Sequence, residues 1–244
     1  MPARPPLVLV PARLEAPPPD TLVEDILALP VRLDILLLAD PATVALAKRL
    51  ARAHDPVQVL EVPPACASGE ACQAACRWAL DEGYGQVLEM GRGAAPGHLP
   101  VLLAEMDGAD LVVGSRFAAE EGRSPGGLRR ALGAAGNLLA RAALGLSIRD
   151  ITSGLRLYRS ALLECMPWDD LPHDGDGLRV SMVYHAERMG ARVREVPVDW
   201  DGARPRLAWG ALGHVVHLAL RDRLLGRGPS WCAPGRRGLS RREG

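Results

Sequence analysis

The thiols of Cys66, Cys72 and Cys76 are the closely spaced side chains that could do chemistry, because thiolates bind soft metals or form disulfides. The chain has five cysteines, an odd number that does not make a disulfide framework. No CxxC pair is present, and Cys72 and Cys76 fall on a predicted helix among alanines. The sequence therefore predicts buried structural thiols rather than a metal cluster.

Acidic and basic side chains balance, with 29 of each and a formal net charge of zero. Because the chain has no global positive field, its composition does not favour a nucleic-acid partner. Apolar residues make up 48% of the sequence, as in a globular protein with a sizeable core. The apolar run Leu7–Val10 is too short for a signal peptide or a membrane span, so the expected compartment is the cytoplasm.

Short apolar runs alternate with helical patterns through the first half of the chain. The predicted strands are Leu7–Val10, Asp34–Leu38, Val57–Val62, Gln86–Met90 and Asp110–Gly114. Helical segments of about ten to fifteen residues separate strands in βαβ units. The pattern predicts an α/β fold with a mostly parallel central sheet flanked by helices. Ligands of such sheets bind at the carboxyl ends of the strands.

The second half is richer in helices. Helices are predicted over 128–146, 177–189 and 207–225, with extended segments at 154–159 and 192–200. The helix over 207–225 is amphipathic and is followed by a basic tail, 227–244, whose composition predicts disorder. Two interpretations of this helix stay open. It can pack on its own domain, or it can lie on a membrane, with the tail arginines near anionic headgroups.

Four segments, taken in order, resemble the dolichol- and polyprenol-phosphate mannosyltransferases of glycosyltransferase family 2. They are Val8–Glu15, Gly83–Met90, Gly108–Phe117 and Leu128–Arg159. The third reads GADLVVGSRF, close to the family's GADLVIGSRY, and the fourth ends in DITSGLRLYR, close to its D-TSGFRLYR. The third and fourth segments at this separation are specific. The resemblance covers nearly the whole chain before the tail.

This resemblance implies a GT-A (Rossmann-like) glycosyltransferase fold in one domain, 1–226. Residues 1–90 would hold a nucleotide sugar such as GDP-mannose or UDP-glucose, and 91–226 would hold a polyprenyl phosphate acceptor. The implied donor-binding residues are Pro11, Glu15, Asp40 and Arg92. Those implied for the acceptor phosphate are Ser115, Arg116, Arg129, Arg130 and Arg206. The active-site loop would be held by Asn137, Asp150, Thr152, Gly154 and Arg156, and Asp150 with Arg156 are a candidate ion pair.

The metal motif departs from the family. Where its members read Met-Asp-Ala-Asp, and use Mg²⁺ or Mn²⁺ to hold the donor diphosphate, this chain reads Met90-Gly91-Arg92-Gly93. Both carboxylates are replaced by glycine, and an arginine stands between them. Since hard cations need carboxylate oxygens, the sequence predicts that no metal binds there. Glu89 is the nearest carboxylate, and the sequence does not say where its side chain points.

Other family residues are also replaced on the donor side. The family's lysine before the third helix is absent, and its Gln-x-Glu-Met segment is Arg179-Val-Ser-Met182 here. Two functions remain open. One is a metal-independent or impaired hexosyltransferase, bound peripherally to the inner face of the cell membrane. The other is a non-catalytic relative that binds lipid phosphate or an active partner transferase. A nucleotidyltransferase-like domain of similar fold is a third, weaker alternative.

Overall fold

A computed structural model describes residues 4–12, 18–64, 66, 68–91, 93–118, 137–198 and 213–220. Its strands are β1 (Leu7–Ala12), β2 (Asp34–Ala39), β3 (Val57–Glu61), β4 (Gln86–Met90), β5 (Leu111–Ser115), β6 (Leu155–Arg159) and β7 (Val193–Pro197). The helices are α1 (Pro19–Leu27), α2 (Val44–Ala53), α3 (Ser68–Asp81), α4 (Leu99–Ala104), α5 (137–144), α6 (Ser160–Leu163), α7 (Gly175–Arg188) and α8 (213–220). Single 3₁₀ turns lie at Pro96–His98 and Trp168–Asp170.

The strands form one seven-stranded sheet in the order β3-β2-β1-β4-β6-β5-β7. All neighbouring pairs are parallel except those of β6, which runs antiparallel to both β4 and β5. The predicted mostly parallel α/β sheet is therefore confirmed. The strand β6 joins the first four strands to the last two, so the described chain shares one continuous sheet.

The two faces of the sheet are covered by different helices, because alternate strand residues point to opposite sides. On one face, residues such as Val8, Leu88 and Leu157 pack against α1, α2 and α4. On the other, residues such as Leu7 and Tyr158 pack against α3, α5, α7 and α8. Both layers are dominated by buried aliphatic side chains, which explains why the strand runs read as continuous apolar segments.

Two predicted helices are seen only in part. The helix over 128–146 is described at 137–144, and the amphipathic helix over 207–225 is described at 213–220. In α8, Val215 and Leu218 are buried, whereas Val216 and Leu220 are about half exposed. The full amphipathic helix, the domain boundaries and the disordered tail stay predictions. No helix within the described ranges is long and apolar enough to cross a membrane.

Candidate functional site

The carboxyl end of β4 continues into a backbone crossing built from glycine. The N–H of Gly91 donates to the carbonyl oxygen of Gly154, at 2.8 Å. A Cβ atom at Gly91 would lie 3.0 Å from the Cα and the carbonyl oxygen of Gly154, closer than such atoms normally come. Gly93 adopts a φ of +76°, which side chains other than glycine rarely tolerate. At both positions the backbone of this chain favours glycine.

The side chain of Glu89, whose direction the sequence does not give, points towards α7. Its Oε1 atom lies 2.9 Å from Nε and 2.8 Å from Nη2 of Arg179. The Glu89 residue is 6% exposed, and the Arg179 side chain is 20% exposed. A third contact joins Nη1 of Arg179 to Asp176, at 3.3 Å, on the more exposed side. The guanidinium of Arg179 therefore pairs with Glu89, the described carboxylate nearest to Gly91 in the sequence.

The pKa of Arg179 is raised above its ordinary value. Burial alone would lower it, but the charge of Glu89 acts in the opposite sense and prevails, together with its hydrogen bonds and with Asp176. Arg179 is thus a fixed positive charge at all pH values of interest. Sequence analysis noted the segment 179–182 only because the family's carboxylate is absent there. The partner of Arg179 is 90 positions away along the chain.

Arg156 lies directly opposite Glu89 in the β4–β6 pairing and is fully buried. Its Nη1 donates to the carbonyl oxygen of Arg179 and its Nη2 to that of Ile151, both at 2.6 Å. The proposed pair of Asp150 with Arg156 is not what the structure shows. Because the side chain of Arg156 reaches two carbonyls, it fixes the position of α7 relative to the loop before β6.

Asp150 is fully buried and pairs with Arg116. Its two oxygens each lie 2.8 Å from a side-chain nitrogen of Arg116, and Oδ2 also accepts from the backbone N–H of Arg116. Thr152 adds a contact of 2.8 Å between its hydroxyl and Nη2 of Arg116. This pair orients the guanidinium, and the Arg116 side chain is 17% exposed.

The loop that carries Asp150 is held by side chains from several elements. Glu195 on β7 accepts from the backbone N–H of Arg149 and of Asp150, at 2.8 and 2.9 Å. Glu187 on α7 accepts from the N–H groups of residues 147 and 148 in the same way. Asn137 contacts the carbonyl oxygen of Arg149 and accepts from the N–H of Ile151. Sequence analysis selected Asn137 but missed both glutamates.

The only sequence signal for Glu195 was its place in the extended segment predicted over 192–200. Ser115, predicted on the acceptor side, is fully buried and accepts from the N–H of Phe117 at 3.3 Å. Its hydroxyl therefore supports the turn that follows β5. Gly154, which was predicted to help hold the active-site loop, lies just before β6 and packs against Gly91.

Two of the residues predicted to bind the donor, Pro11 and Asp40, lie within the described ranges. Pro11 is an exposed residue of β1, paired with Leu38 on β2. Asp40 follows β2, and its Oδ1 accepts from the N–H groups of Ala42 and Thr43 and from the Thr43 hydroxyl. This turn starts α2. Five predicted residues lie outside the described ranges: Glu15, Arg92, Arg129, Arg130 and Arg206.

Cys72 and Cys76 are buried residues of α3 that face the core, as predicted, and Cys66 is partly exposed. The hydrogen bond with Cys76 raises the pKa of Cys72 well above its ordinary value, and burial adds to this effect. The Cys72 thiol is therefore in its neutral form, which suits a core packing role.

Sequence comparison places the chain among known proteins. An undecaprenyl-phosphate mannosyltransferase of Micrococcus luteus is 35% identical over 177 residues, which are 67% of this chain and 70% of that protein. The chain belongs to the polyprenyl-phosphate mannosyltransferase family. A second family member, a polyprenol monophosphomannose synthase of Mycolicibacterium smegmatis, is 34% identical over 169 residues, or 65% of this chain and 62% of that protein. No family model matches the chain.

Solved structures show the fold of this family member. A glucosyl-3-phosphoglycerate synthase of Mycobacterium tuberculosis in complex with uridine diphosphate superposes with a TM-score of 0.63 at 18% identity, covering 88% of this chain and 80% of that one. TarS of S. aureus in complex with UDP-GlcNAc gives a TM-score of 0.52 at 12% identity, covering 90% and 67%. These likenesses confirm the predicted GT-A glycosyltransferase fold.

Proposed function

We propose that the chain transfers a hexosyl group from a nucleotide sugar to a polyprenyl phosphate without a divalent metal. The observation that carries this proposal is the 35% identity to a curated undecaprenyl-phosphate mannosyltransferase over 177 residues. The buried Arg116–Asp150 pair with Thr152 supports it, because it orients a cation at the surface of the segments that most resemble the family. GDP-mannose is the first donor to test and UDP-glucose the second.

A solved structure of the same fold supports a nucleotide-sugar donor at the carboxyl ends of the strands. The glucosyl-3-phosphoglycerate synthase of Mycobacterium tuberculosis has been solved with Mn²⁺, UDP-glucose and glycerol 3-phosphate, and superposes here with a TM-score of 0.61 at 19% identity. For this chain we propose the same pairing of ligand classes, a nucleotide sugar with a phosphate-bearing acceptor. The donor would lie beyond the carboxyl ends of β1, β2 and β4, where ligands of α/β sheets bind.

The described residues at the end of β4 do not suit the metal that the family uses. Gly91 and Gly93 offer no side-chain oxygen, and Oε1 of Glu89 is contacted by two nitrogens of Arg179. A hard divalent cation prefers carboxylate oxygens and is repelled by an adjacent guanidinium. We therefore assign no step of the reaction to a metal ion.

The reaction then needs one bond to form and one to break. An oxygen of the acceptor phosphate attacks the anomeric carbon of the sugar, and the bond from that carbon to the nucleoside diphosphate breaks. The nucleoside diphosphate leaves with the electron pair, and the configuration at the anomeric carbon inverts because the oxygen attacks from the face opposite the leaving group. Arg116 would hold the acceptor phosphate by charge-assisted hydrogen bonds, with Asp150 and Thr152 fixing the direction of its planar fork.

The acceptor is a lipid, so the reaction would take place at a membrane surface. We propose that the protein binds peripherally to the inner face of the cell membrane. The half-exposed Val216 and Leu220 of α8 support this, since they continue the apolar side of the helix predicted over 207–225.

A transfer assay tests the proposal. Purified chain is incubated with radiolabelled GDP-mannose or UDP-glucose, undecaprenyl phosphate in detergent, and excess EDTA. Labelled lipid is expected in EDTA, with at least a tenfold loss for Arg116→Gln. The matched control, Arg194→Gln, removes an exposed arginine whose partner is Glu105 and should keep wild-type activity. Absence of labelled lipid, with and without Mn²⁺, would refute the transferase.

The loss of both acidic positions at Gly91 and Gly93 favours one alternative, a non-catalytic family member that binds lipid phosphate or an active partner transferase. It predicts Arg116-dependent binding of undecaprenyl phosphate without nucleotide-sugar binding. Vesicle binding alone does not separate the two functions. A chain that binds vesicles containing undecaprenyl phosphate through Arg116, but neither binds a nucleotide sugar nor yields labelled lipid, is the non-catalytic family member.

A further inference from the structure

The buried layer beneath Gly91 carries more positive than negative charge. Glu89 is a single carboxylate between two arginines, Arg156 opposite it in the sheet and Arg179 on α7. Asp150, the other fully buried carboxylate at this edge, already pairs with Arg116. Asp176 contacts Arg179 across an i,i+3 spacing, but its side chain is 43% exposed and such a pair is weak in water. One positive charge is thus poorly compensated here.

Arg179 lies next to the backbone that replaces the metal motif. A Cβ atom at Gly154 would lie 3.2 Å from the Cα of Gly91 and 3.4 Å from the guanidinium carbon of Arg179. A Cβ atom at Gly175 would lie 3.6 Å from Nη1 of Arg179. Gly154 and Gly175 therefore border the guanidinium without side chains of their own, and 20% of the Arg179 side chain stays exposed.

The geometry of the contacts leaves donors for an anion. A guanidinium has five N–H groups in a planar fork, and Glu89 engages only Nε and Nη2, both through one oxygen. Nη1, on the side of Asp176, has the weakest contact. A phosphate oxygen that displaced Asp176 would gain a shorter, charge-assisted hydrogen bond in a less hydrated place.

We propose that Arg179 is the built-in cation that binds the diphosphate of the donor, in place of the missing metal. This inference rests on the proposed function, because it requires a nucleotide sugar at this edge. Arg179 supplies the charge, Glu89 holds the planar group in position, and Arg156 fixes the backbone carbonyl of Arg179. The same positive charge stabilises the departing diphosphate when the sugar is transferred.

Binding of GDP-mannose and UDP-glucose, measured by calorimetry in EDTA, tests the inference. The main variant is the double substitution Glu89→Gln and Arg179→Gln, which removes both charges and keeps two hydrogen-bonding amides of similar shape. It is expected to bind the nucleotide sugar at least tenfold more weakly than wild type. Binding of the matching nucleoside, measured by ligand-detected NMR, should change less than twofold. A merely structural role would weaken both ligands together.

Two single variants keep the test decisive if the double variant does not fold. Arg179→Lys keeps the charge without the fork and should retain binding in EDTA within about tenfold. Glu89→Gln keeps an acceptor oxygen that positions the guanidinium but removes the negative charge that competes with phosphate, so it should tighten nucleotide-sugar binding by a few fold. Arg194→Gln, on the exposed pair with Glu105, is the control and should bind as wild type does. Circular dichroism and melting temperature confirm folding.

Unchanged binding by the double variant, or weaker binding by Glu89→Gln, would overturn the role of Arg179 while leaving the transferase intact. Wild-type binding that is seen with Mn²⁺ but lost in EDTA would overturn both the role of Arg179 and the metal independence of the proposed transferase. If wild type binds neither nucleotide sugar with or without Mn²⁺, the proposed function itself is refuted, and this inference with it.

Discussion

Individual residues at this site are held by charge pairs that cross between elements. Arg116 follows β5 and reaches the loop before β6, while Arg179 on α7 reaches Glu89 on β4. Partners of this kind are invisible in sequence, because neither spacing nor periodicity brings them together. The sequence therefore predicted Arg116 and Asp150 as site residues but joined Asp150 to Arg156, whose guanidinium is instead taken up by backbone carbonyls.

The Asp150 carboxylate is expected to be important for stability as well as for the site. Asp150→Asn leaves the partly buried guanidinium of Arg116 facing a neutral amide, which should lower the free energy of unfolding by about 3 kcal/mol. Urea denaturation measures this difference. The control, Glu105→Gln, disrupts an exposed pair and should cost about 0.5 kcal/mol. Equal losses in the two variants would contradict the structural account of Asp150.

Gly91 is expected to resist any side chain. In Gly91→Ala the added methyl would lie 3.0 Å from the backbone of Gly154, so the chain must shift and stability should fall by about 2 kcal/mol. Gly85→Ala is the matched control, since a Cβ there meets nothing within 4 Å. Thermal melts of the two variants give the comparison. If both melt like wild type, the close approach of β4 and the loop before β6 is wrong.

Asp110 is expected to make stability depend on pH in the acid range. Burial alone would raise its pKa, but hydrogen bonds from Arg192 prevail and hold it below its ordinary 3.8. A carboxyl with a lowered folded-state pKa stabilises the protein above its ordinary pKa, and this contribution disappears as the pH falls through the folded-state value. Asp110→Asn should therefore lower the unfolding free energy at neutral pH and have a smaller effect at about pH 2.

Unfolding by urea at both pH values tests this sign. A difference between wild type and Asp110→Asn that is as large at the acidic pH as at neutral pH would show that the loss comes from packing, not from the carboxylate charge.

At the scale of elements, the loop before β6 depends on side chains from α7 and β7 for its shape. Glu195→Ala removes the acceptor of two backbone N–H groups, those of Arg149 and Asp150. Because a hydrogen bond to a charged group contributes about 1.5–3 kcal/mol, these amides should exchange with solvent at least about tenfold faster. Hydrogen exchange followed by NMR measures this directly.

The control is a variant of Glu187, the other glutamate that binds backbone N–H groups of this loop. Glu187→Ala should speed exchange at residues 147 and 148, whose N–H groups it binds, and leave 149 and 150 less affected. The same pattern in both variants would mean that the loop opens as one unit, contrary to the separate attachments described here.

Most elements were predictable because their sequences are locally consistent. The strands β1 to β5 are short apolar runs between turn residues, and α7 lies close to the helix predicted over 177–189. The order of the strands was not predictable. β6 enters between β4 and β5 although β5 and β6 are separated by about forty residues, and such long-range antiparallel pairing leaves no local pattern.

At the scale of the whole molecule, net charge is a poor guide to the local field. The chain is formally neutral, and its composition gave no reason to expect an anionic ligand. Yet Arg116, Arg156 and Arg179 all lie at one edge of the sheet, where low exposure strengthens their interactions. The family resemblance predicts a phosphate-bearing ligand at this edge, and the three arginines that the fold brings together supply the physical argument for anion binding.

The central claim is that this family member binds its nucleotide sugar without a divalent metal. Calorimetric titration of the wild-type chain with GDP-mannose, repeated in EDTA and in excess Mn²⁺, tests it most directly. We expect the two dissociation constants to agree within about twofold, because the described residues beside Gly91 and Gly93 present a guanidinium rather than paired carboxylates. Binding that appears only with Mn²⁺, and disappears on chelation, would contradict the account.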